Sequence, residues 1–124
     1  MHELSVCLGL IGQVERIAFE HNARAVDKII VRIGPLSGVE IPLLRQAYTL
    51  ARAGTIAENA ELVTETQAVR VTCETCGVES DAQINRLVCG ACGDYRTRLV
   101  SGDEMILESV ELDLNVNDAA RDVM

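Results

Sequence analysis

The sequence predicts an α+β fold: two helices on a three-stranded mixed sheet, with a small cysteine-rich segment inserted before the last strand. Three observations predict it. Apolar residues recur every three or four positions in two segments, the mark of a helix with one buried face. Three other segments alternate apolar and polar residues, as half-buried strands do. Two Cys-x2-Cys pairs stand between the second and third of these strands, and this order of elements is an α+β order.

The first helix is expected from Leu4 to His21, with Leu4, Cys7, Leu8, Leu10, Ile11, Val14, Ile17 and Ala18 on its apolar face and Glu15, Arg16 and Glu20 among the polar positions. Asn22 and Ala23 break that pattern, and "DKIIVRIG" follows as a strand with Ile29, Val31 and Ile33 on one face. "GPLSG" is turn chemistry. Pro42 suits the first turn of a second helix, on which Leu44, Ala47, Tyr48 and Ala51 share a face, and Gly54 is its expected stop. A long strand is expected from Glu61 to Thr72, with Val63, Val69 and Val71 on one parity together with Glu65 and Gln67. "EMILESVELDL" predicts the last strand, alternating at Ile106, Glu108, Val110 and Leu112. From Asn115 to Met124 the chain is polar and aperiodic, and a frayed, disordered tail (115–124) is expected.

Composition restricts the function. A chain of 124 residues with 48% apolar residues builds a modest core, but with no Trp, one Phe and two Tyr that core is aliphatic and offers no stacking platform. A net charge of -8 is the wrong sign for binding phosphate backbones or anionic lipid, so proteins or small cations are the expected partners, with no nucleic acid and no membrane. No apolar run reaches the roughly 18 residues of a membrane span, and no basic segment precedes an apolar one at the start. A soluble, cytoplasmic protein is the expectation.

The strongest motif is "CETCGVESDAQINRLVCGACGD", in which Cys73 and Cys76 form one pair, and Cys89 and Cys92 form another after twelve intervening residues. Two residues between cysteines let a tight turn aim both thiolates at one point, and Gly77 and Gly93 relieve the backbone as it reverses. Four sulfurs make a closed tetrahedral site that suits zinc in a structural role. Two disulfides and a rubredoxin-like iron centre are the competing readings. The odd count of five cysteines and the lack of an export signal weigh against the first. The lack of surrounding aromatic residues weighs against the second. Arg70, Arg86, Arg96 and Arg98 lie near enough in sequence to offset the formal charge of a four-thiolate zinc site. Cys7, on the apolar face of the first helix, is expected to be buried and inert.

The chain opens "MHEL". A free amine, the amide nitrogen of His2 and its imidazole Nδ1 can close fused chelate rings around one ion. That planar nitrogen set suits Ni(II) or Cu(II), and Glu3 adds an oxygen or a second amide. An accidental histidine at an exposed terminus is the competing reading. The other histidine, His21, stands near a predicted helix end, where a favourable dipole contact accounts for it.

"MHELSVC" at the start, "VRIGPLSGVE" after the first strand, and the paired Cys-x2-Cys motifs before a final acidic strand together resemble the HypA/HybF family of nickel-insertion proteins of [NiFe]-hydrogenase maturation. The resemblance runs to about Leu114. It implies a nickel metallochaperone: a nickel-binding α/β domain over 1–72 and 101–114, and a zinc-ribbon insert over 73–100. It implies nickel ligation at His2 with the adjoining Glu3, and an acidic residue at Glu40, Asp in some members, approaching the nickel. It also implies zinc at Cys73, Cys76, Cys89 and Cys92, Ni2+ as transferred cargo, a nickel-loading GTPase partner, and the hydrogenase large subunit as recipient. Family members occur as monomers or dimers. No histidine follows either cysteine pair, which argues against ligand switching at the zinc.

No Ser/His/Asp set or phosphate-cradling glycine loop is present, so an enzyme is not expected. The alternative to a metallochaperone is a zinc-ribbon protein-interaction module without nickel function.

Overall fold

The computed structural model describes residues 2–114, the His2 side chain excepted. The tail expected over 115–124 lies outside the described residues. The chain forms α1 (His2–Glu20), β1 (Ala23–Ile33), α2 (Ile41–Ala51), β2 (Glu61–Thr66), β3 (Arg70–Cys73), β4 (Glu79–Asp81), β5 (Thr97–Ser101) and β6 (Met105–Leu114). It divides into two compact units. One holds Glu40–Val63 with the described residues up to Val31 and from Leu107 onward, and the other holds Arg32–Val39 and Thr64–Ile106.

In the first unit the two helices pack on one another through most of the predicted faces, Leu8 alone of the expected α1 face being exposed. Cys7, Leu10, Ile11, Val14 and Ala18 of α1 are buried, as are Leu44 and Tyr48 of α2. The Cys7 thiol points at the Leu44 carbonyl, 3.5 Å away. Tyr48 spends its hydroxyl proton on the Ala60 carbonyl at 2.8 Å, which satisfies the polar end of an otherwise apolar side chain. At the end of α1, His21 donates from Nδ1 to the Ile17 carbonyl at 2.9 Å, and Asn22 adopts a left-handed conformation with φ of 54° that turns the chain into β1. His21 thus makes a favourable contact at the helix end, as its position predicted. Pro42 sits in the first turn of α2, where its missing N–H costs no hydrogen bond.

The first sheet has the order β2-β1-β6. Arg24 pairs with Asp113 and Lys28 with Glu111, while Gly34 N–H bonds the Glu104 carbonyl, so numbers rise along β1 as they fall along β6. Those strands are antiparallel. Val26 bonds Ile56, and Gln67 bonds Ile33, so β2 runs parallel to β1 and the sheet is mixed. Ile29, Val31 and Ile33 are buried together as expected.

The expected long strand from Glu61 to Thr72 is two strands. β2 ends at Thr66, and β3 belongs to a second sheet of order β4-β3-β5, antiparallel throughout, with an irregularity between Arg70 and Val71 on the β5 side. The parity also slips, for Leu62 is buried in β2 and Val63 only half-buried, whereas Val69 and Val71 are buried. Alternation in sequence marks which side chains are buried but not which sheet buries them. The backbone is tightly packed beside the break: a Cβ on Gly34 would lie 2.1 Å from the Gly102 carbonyl oxygen, and a Cβ on Gly102, whose φ is +112°, would lie 2.9 Å from Val69 Cα. In β6 the expected single face also divides, with Ile106 and Glu108 exposed and Val110 and Leu112 half-buried.

Two glycine substitutions test this packing in opposite directions. A Cβ on Gly12, midway along α1, meets nothing within 4 Å, so Gly12→Ala is expected to raise stability by about 0.5–1 kcal/mol through helix propensity. Gly34→Ala must displace the Gly102 backbone and is expected to cost about 1–3 kcal/mol. Urea unfolding of both variants at equal metal content measures the two shifts.

Candidate metal centre

The second unit carries the site. Cys73 ends β3, and the chain then turns back so sharply that Gly77 N–H bonds the Cys73 carbonyl at 3.0 Å. Cys89 begins the same turn, closed by Gly93 N–H on the Cys89 carbonyl at 2.9 Å. Gly77 and Gly93 share a φ of 76°, a left-handed value that glycine adopts without steric cost.

Each turn folds its own amides under its first sulfur. The Thr75 and Cys76 amides donate to Cys73 Sγ, and the Ala91 and Cys92 amides donate to Cys89 Sγ, all at 3.3 Å. Across the turns, Cys73 Sγ lies 3.6 Å from Cys92 Sγ and Cys76 Sγ lies 3.6 Å from Cys89 Sγ. All four sulfurs fall within 4.8 Å of one another, and Cys73 and Cys89 are buried while Cys76 and Cys92 are exposed. A tetrahedron with metal–sulfur bonds of about 2.3 Å has edges of roughly 3.8 Å, so the sulfurs already stand near the spacing a tetrahedral thiophilic ion requires. The cluster is that of a zinc ribbon, and the cysteines are free rather than paired in disulfides.

The thiols divide by position. Two amide donors apiece favour the ionised form of the first cysteine of each turn: Cys73 is shifted down, and Cys89 falls to about 6. The second cysteine of each turn moves the other way, against the charge on its neighbouring sulfurs, and Cys92 rises to about 12. Cys7 stands apart from the cluster. Burial, with the Glu3 carboxylate nearby, pushes its thiol up and leaves it unreactive.

Of the arginines expected to balance the site, Arg96 lies in the field of Cys73 and Glu74 but spends its guanidinium on Asp94, and Arg70 pairs with Glu79 and Asp81. Asp94 is the residue that reading the sequence misses. Its carboxylate accepts from the Thr75 hydroxyl at 2.6 Å and from the Arg96 amide and guanidinium, which hold it well below the usual carboxylate range. The one available signal is the contrast between "CGV" after the first pair and "CGD" after the second.

The amino-terminal candidates fall in the first unit. The His2 side chain lies outside the described residues. Glu3 is 7% exposed in the first turn of α1, and its Oε2 accepts from the Glu40 backbone N–H at 3.4 Å. Glu40 is the N-cap of α2 and makes no side-chain cap, and the Glu3 carboxylate bonds the N-cap amide itself, at the positive end of the helix. The structure therefore brings the Glu3 side chain to Glu40. Beside them a cavity of about 230 Å³ is lined by Glu3, Leu4, Leu43, Gln46, Ala47 and Leu50.

Comparisons with known proteins match this architecture. Residues 1–112 match a family model described as HypA, hydrogenase/urease nickel incorporation, metallochaperone. A hydrogenase maturation factor HypA from Nitrosospira multiformis is 51% identical over 112 residues, covering 90% of this chain and 97% of that one. One from Aquifex aeolicus is 41% identical over 115 residues, covering 93% and 100%. The solution structure of the Ni metallochaperone HypA from Helicobacter pylori superposes with a TM-score of 0.73 at 25% identity, covering 91% of this chain and 98% of that one.

The split in thiol acidity has a measurable consequence. A tetrahedral ion needs all four thiolates, so binding must expel the protons of Cys76 and Cys92 at neutral pH. Lower pH therefore favours the metal-free chain. Calorimetry of Zn2+ binding in buffers of different ionisation enthalpy is expected to count at least two protons released per ion at pH 7.5, those of Cys76 and Cys92.

Proposed function

Because this chain belongs to the HypA family of nickel-incorporation metallochaperones, we propose that it binds Ni2+ at its amino terminus and hands it on for assembly of a [NiFe]-hydrogenase large subunit, with a nickel-loading GTPase as partner. It is a maturation factor for hydrogenase and not an enzyme.

The observation that carries the reading is the meeting of Glu3 and Glu40, two of the three residues expected to serve nickel, at the start of α2. On this proposal His2 supplies an imidazole and an amide nitrogen, the terminal amine a further nitrogen, and Glu3 an oxygen or the orientation of the others. Glu40 approaches from the first turn of α2. The amine, with an ordinary pKa of about 7.7–8.0, must lose its proton to bind, so nickel affinity rises with pH through neutrality. A largely nitrogen site at a chain end exchanges its ion with a partner more readily than a closed cage does. Leu43 and Leu50, 42% and 74% exposed around the cavity beside Glu3, offer such a partner an apolar foothold near the cargo.

We assign zinc to Cys73, Cys76, Cys89 and Cys92, in a ribbon over 73–100, with the nickel-binding domain over 1–72 and 101–114. Zinc bound there supplies folding free energy and has no open position for chemistry. A cytoplasmic location belongs to the same proposal. Among the described residues no helix is long and apolar enough to cross a membrane.

Calorimetric titration of Ni2+ into zinc-loaded protein with a native amino terminus is expected to give about one ion bound, and His2→Ala is expected to abolish it while zinc content and fold persist. Equal binding by the two would remove the terminal chelate and favour a zinc-ribbon interaction module. Cys76→Ala is expected instead to lose zinc and unfold the ribbon, seen as collapsed dispersion of its amide resonances. Full zinc content in that variant would refute a structural zinc.

A further inference from the structure

The two cysteine turns repeat one another nearly residue for residue. Cys73 N–H bonds the Val78 carbonyl at 3.0 Å, and Cys89 N–H bonds the Asp94 carbonyl at 2.9 Å. Glu74 N–H is taken by the Arg96 carbonyl, and its counterpart Gly90 N–H by the Ser80 hydroxyl, so each turn is also held by a residue two beyond the other's closing carbonyl. The backbone repeat does not extend to the side chains, and two of the positions that differ meet across the centre. Where one side of the centre sets Ala91 and Val78, the other sets Thr75 and Asp94. The Thr75 hydroxyl donates to Asp94 Oδ2 at 2.6 Å, and among the described residues no other side-chain to side-chain hydrogen bond, thiols aside, joins the two turns.

We propose that Asp94 is a positioning residue for the metal centre: from beside the second turn its carboxylate grips the Thr75 hydroxyl of the first and presets the four sulfurs at tetrahedral spacing. The geometry suits that task. The Asp94 side chain is only 14% exposed, and Arg96 holds it from behind, with Nε 3.2 Å from Oδ1, NH2 3.0 Å from Oδ2 and the backbone amide 2.9 Å from Oδ1. The carboxylate is thereby fixed to the second turn at its own backbone and to the first at Thr75. Thr75 in turn precedes Cys76 and lends its amide to Cys73 Sγ, so pulling on its hydroxyl orients both sulfurs of the first turn. Without the link, the turns are tied across the centre by backbone bonds and by the ion itself. Partners just outside a metal's ligands commonly govern affinity in this way, by about 10–100-fold.

The inference rests on zinc being the ion held by the four cysteines. The zinc content of the unaltered full-length chain is therefore measured first, and its absence would defeat that assignment rather than the role of Asp94. The test compares zinc-loaded Thr75→Val, Thr75→Ser and Asp94→Asn with the parent chain, following zinc transfer to a chromogenic chelator and the visible ligand-field bands of the Co(II)-substituted protein. Thr75→Val, which keeps the shape and removes the hydroxyl, is expected to release zinc about 10–100-fold faster and to shift the Co(II) bands. Thr75→Ser is expected to restore both. Adding Thr75→Val to Asp94→Asn is expected to change little further, because the two act through one bond. Parental release and an unshifted spectrum in Thr75→Val would overturn the proposal, and so would equal loss in the Val and Ser variants. If Asp94→Asn fails to fold, the Thr75 pair decides alone.

Discussion

The second unit depends on one interaction: paired backbone amides pointing into a cysteine sulfur at the head of each turn. Four sulfurs cannot crowd within 4.8 Å and carry charge unless something other than the metal pays part of the electrostatic cost, and these N–H groups do so at no loss to the strands. They also set the chain direction. Once two amides face one sulfur, the backbone must reverse over the next two residues, and a glycine with positive φ follows in both turns. The β3–β5 pairing then starts from Cys73 opposite Thr97 and needs no loop of its own.

That unit has few other means of holding together. Among its described residues the buried apolar side chains are Ile33, Val69, Val71, Cys73 and Cys89, two of which are ligand candidates. Such a core is small against the entropy of ordering the segment, which is the physical reason for proposing a structural ion there. Asp94 belongs to the same economy. A small centre with little hydrophobic support gains most from a charged side chain that ties its two halves before the ion arrives.

The first unit is built the opposite way. Its core of Val14, Val26, Ile29, Val31 and Leu44 needs no metal, and this leaves the start of α1 available for a different task. A carboxylate at 7% exposure is costly unless something compensates it, and the positive end of α2 compensates Glu3. One unit therefore gathers four sulfurs around one point, while the other holds the Glu3 carboxylate at the start of α2.

Much of this was legible in the sequence because it is local. The helical faces of α1 and α2, the helix-end contact of His21, the burial of Cys7 and the convergence of the four cysteines all follow from spacing along a short stretch, where backbone geometry leaves few alternatives. What spacing could not reveal depends on residues far apart in the chain. The break between β2 and β3 hides in the sequence because Val69 and Val71 continue the expected parity of Val63, although Leu62 is the residue that β2 buries, and because nothing local shows that Gly34 and Gly102 approach within a distance that no side chain permits. Asp94 reads as one more surface acid until the fold places Thr75 against it, and Glu3 shows no link to Glu40 until α2 packs beside α1. The sequence by itself determined the two helices, the first and last strands and the convergence of the four cysteines. Tertiary structure alone decided where the middle strand divides, which strands share a sheet and which groups the carboxylates of Glu3 and Asp94 meet, because those outcomes are set by contacts between segments and not by the periodicity within any one of them.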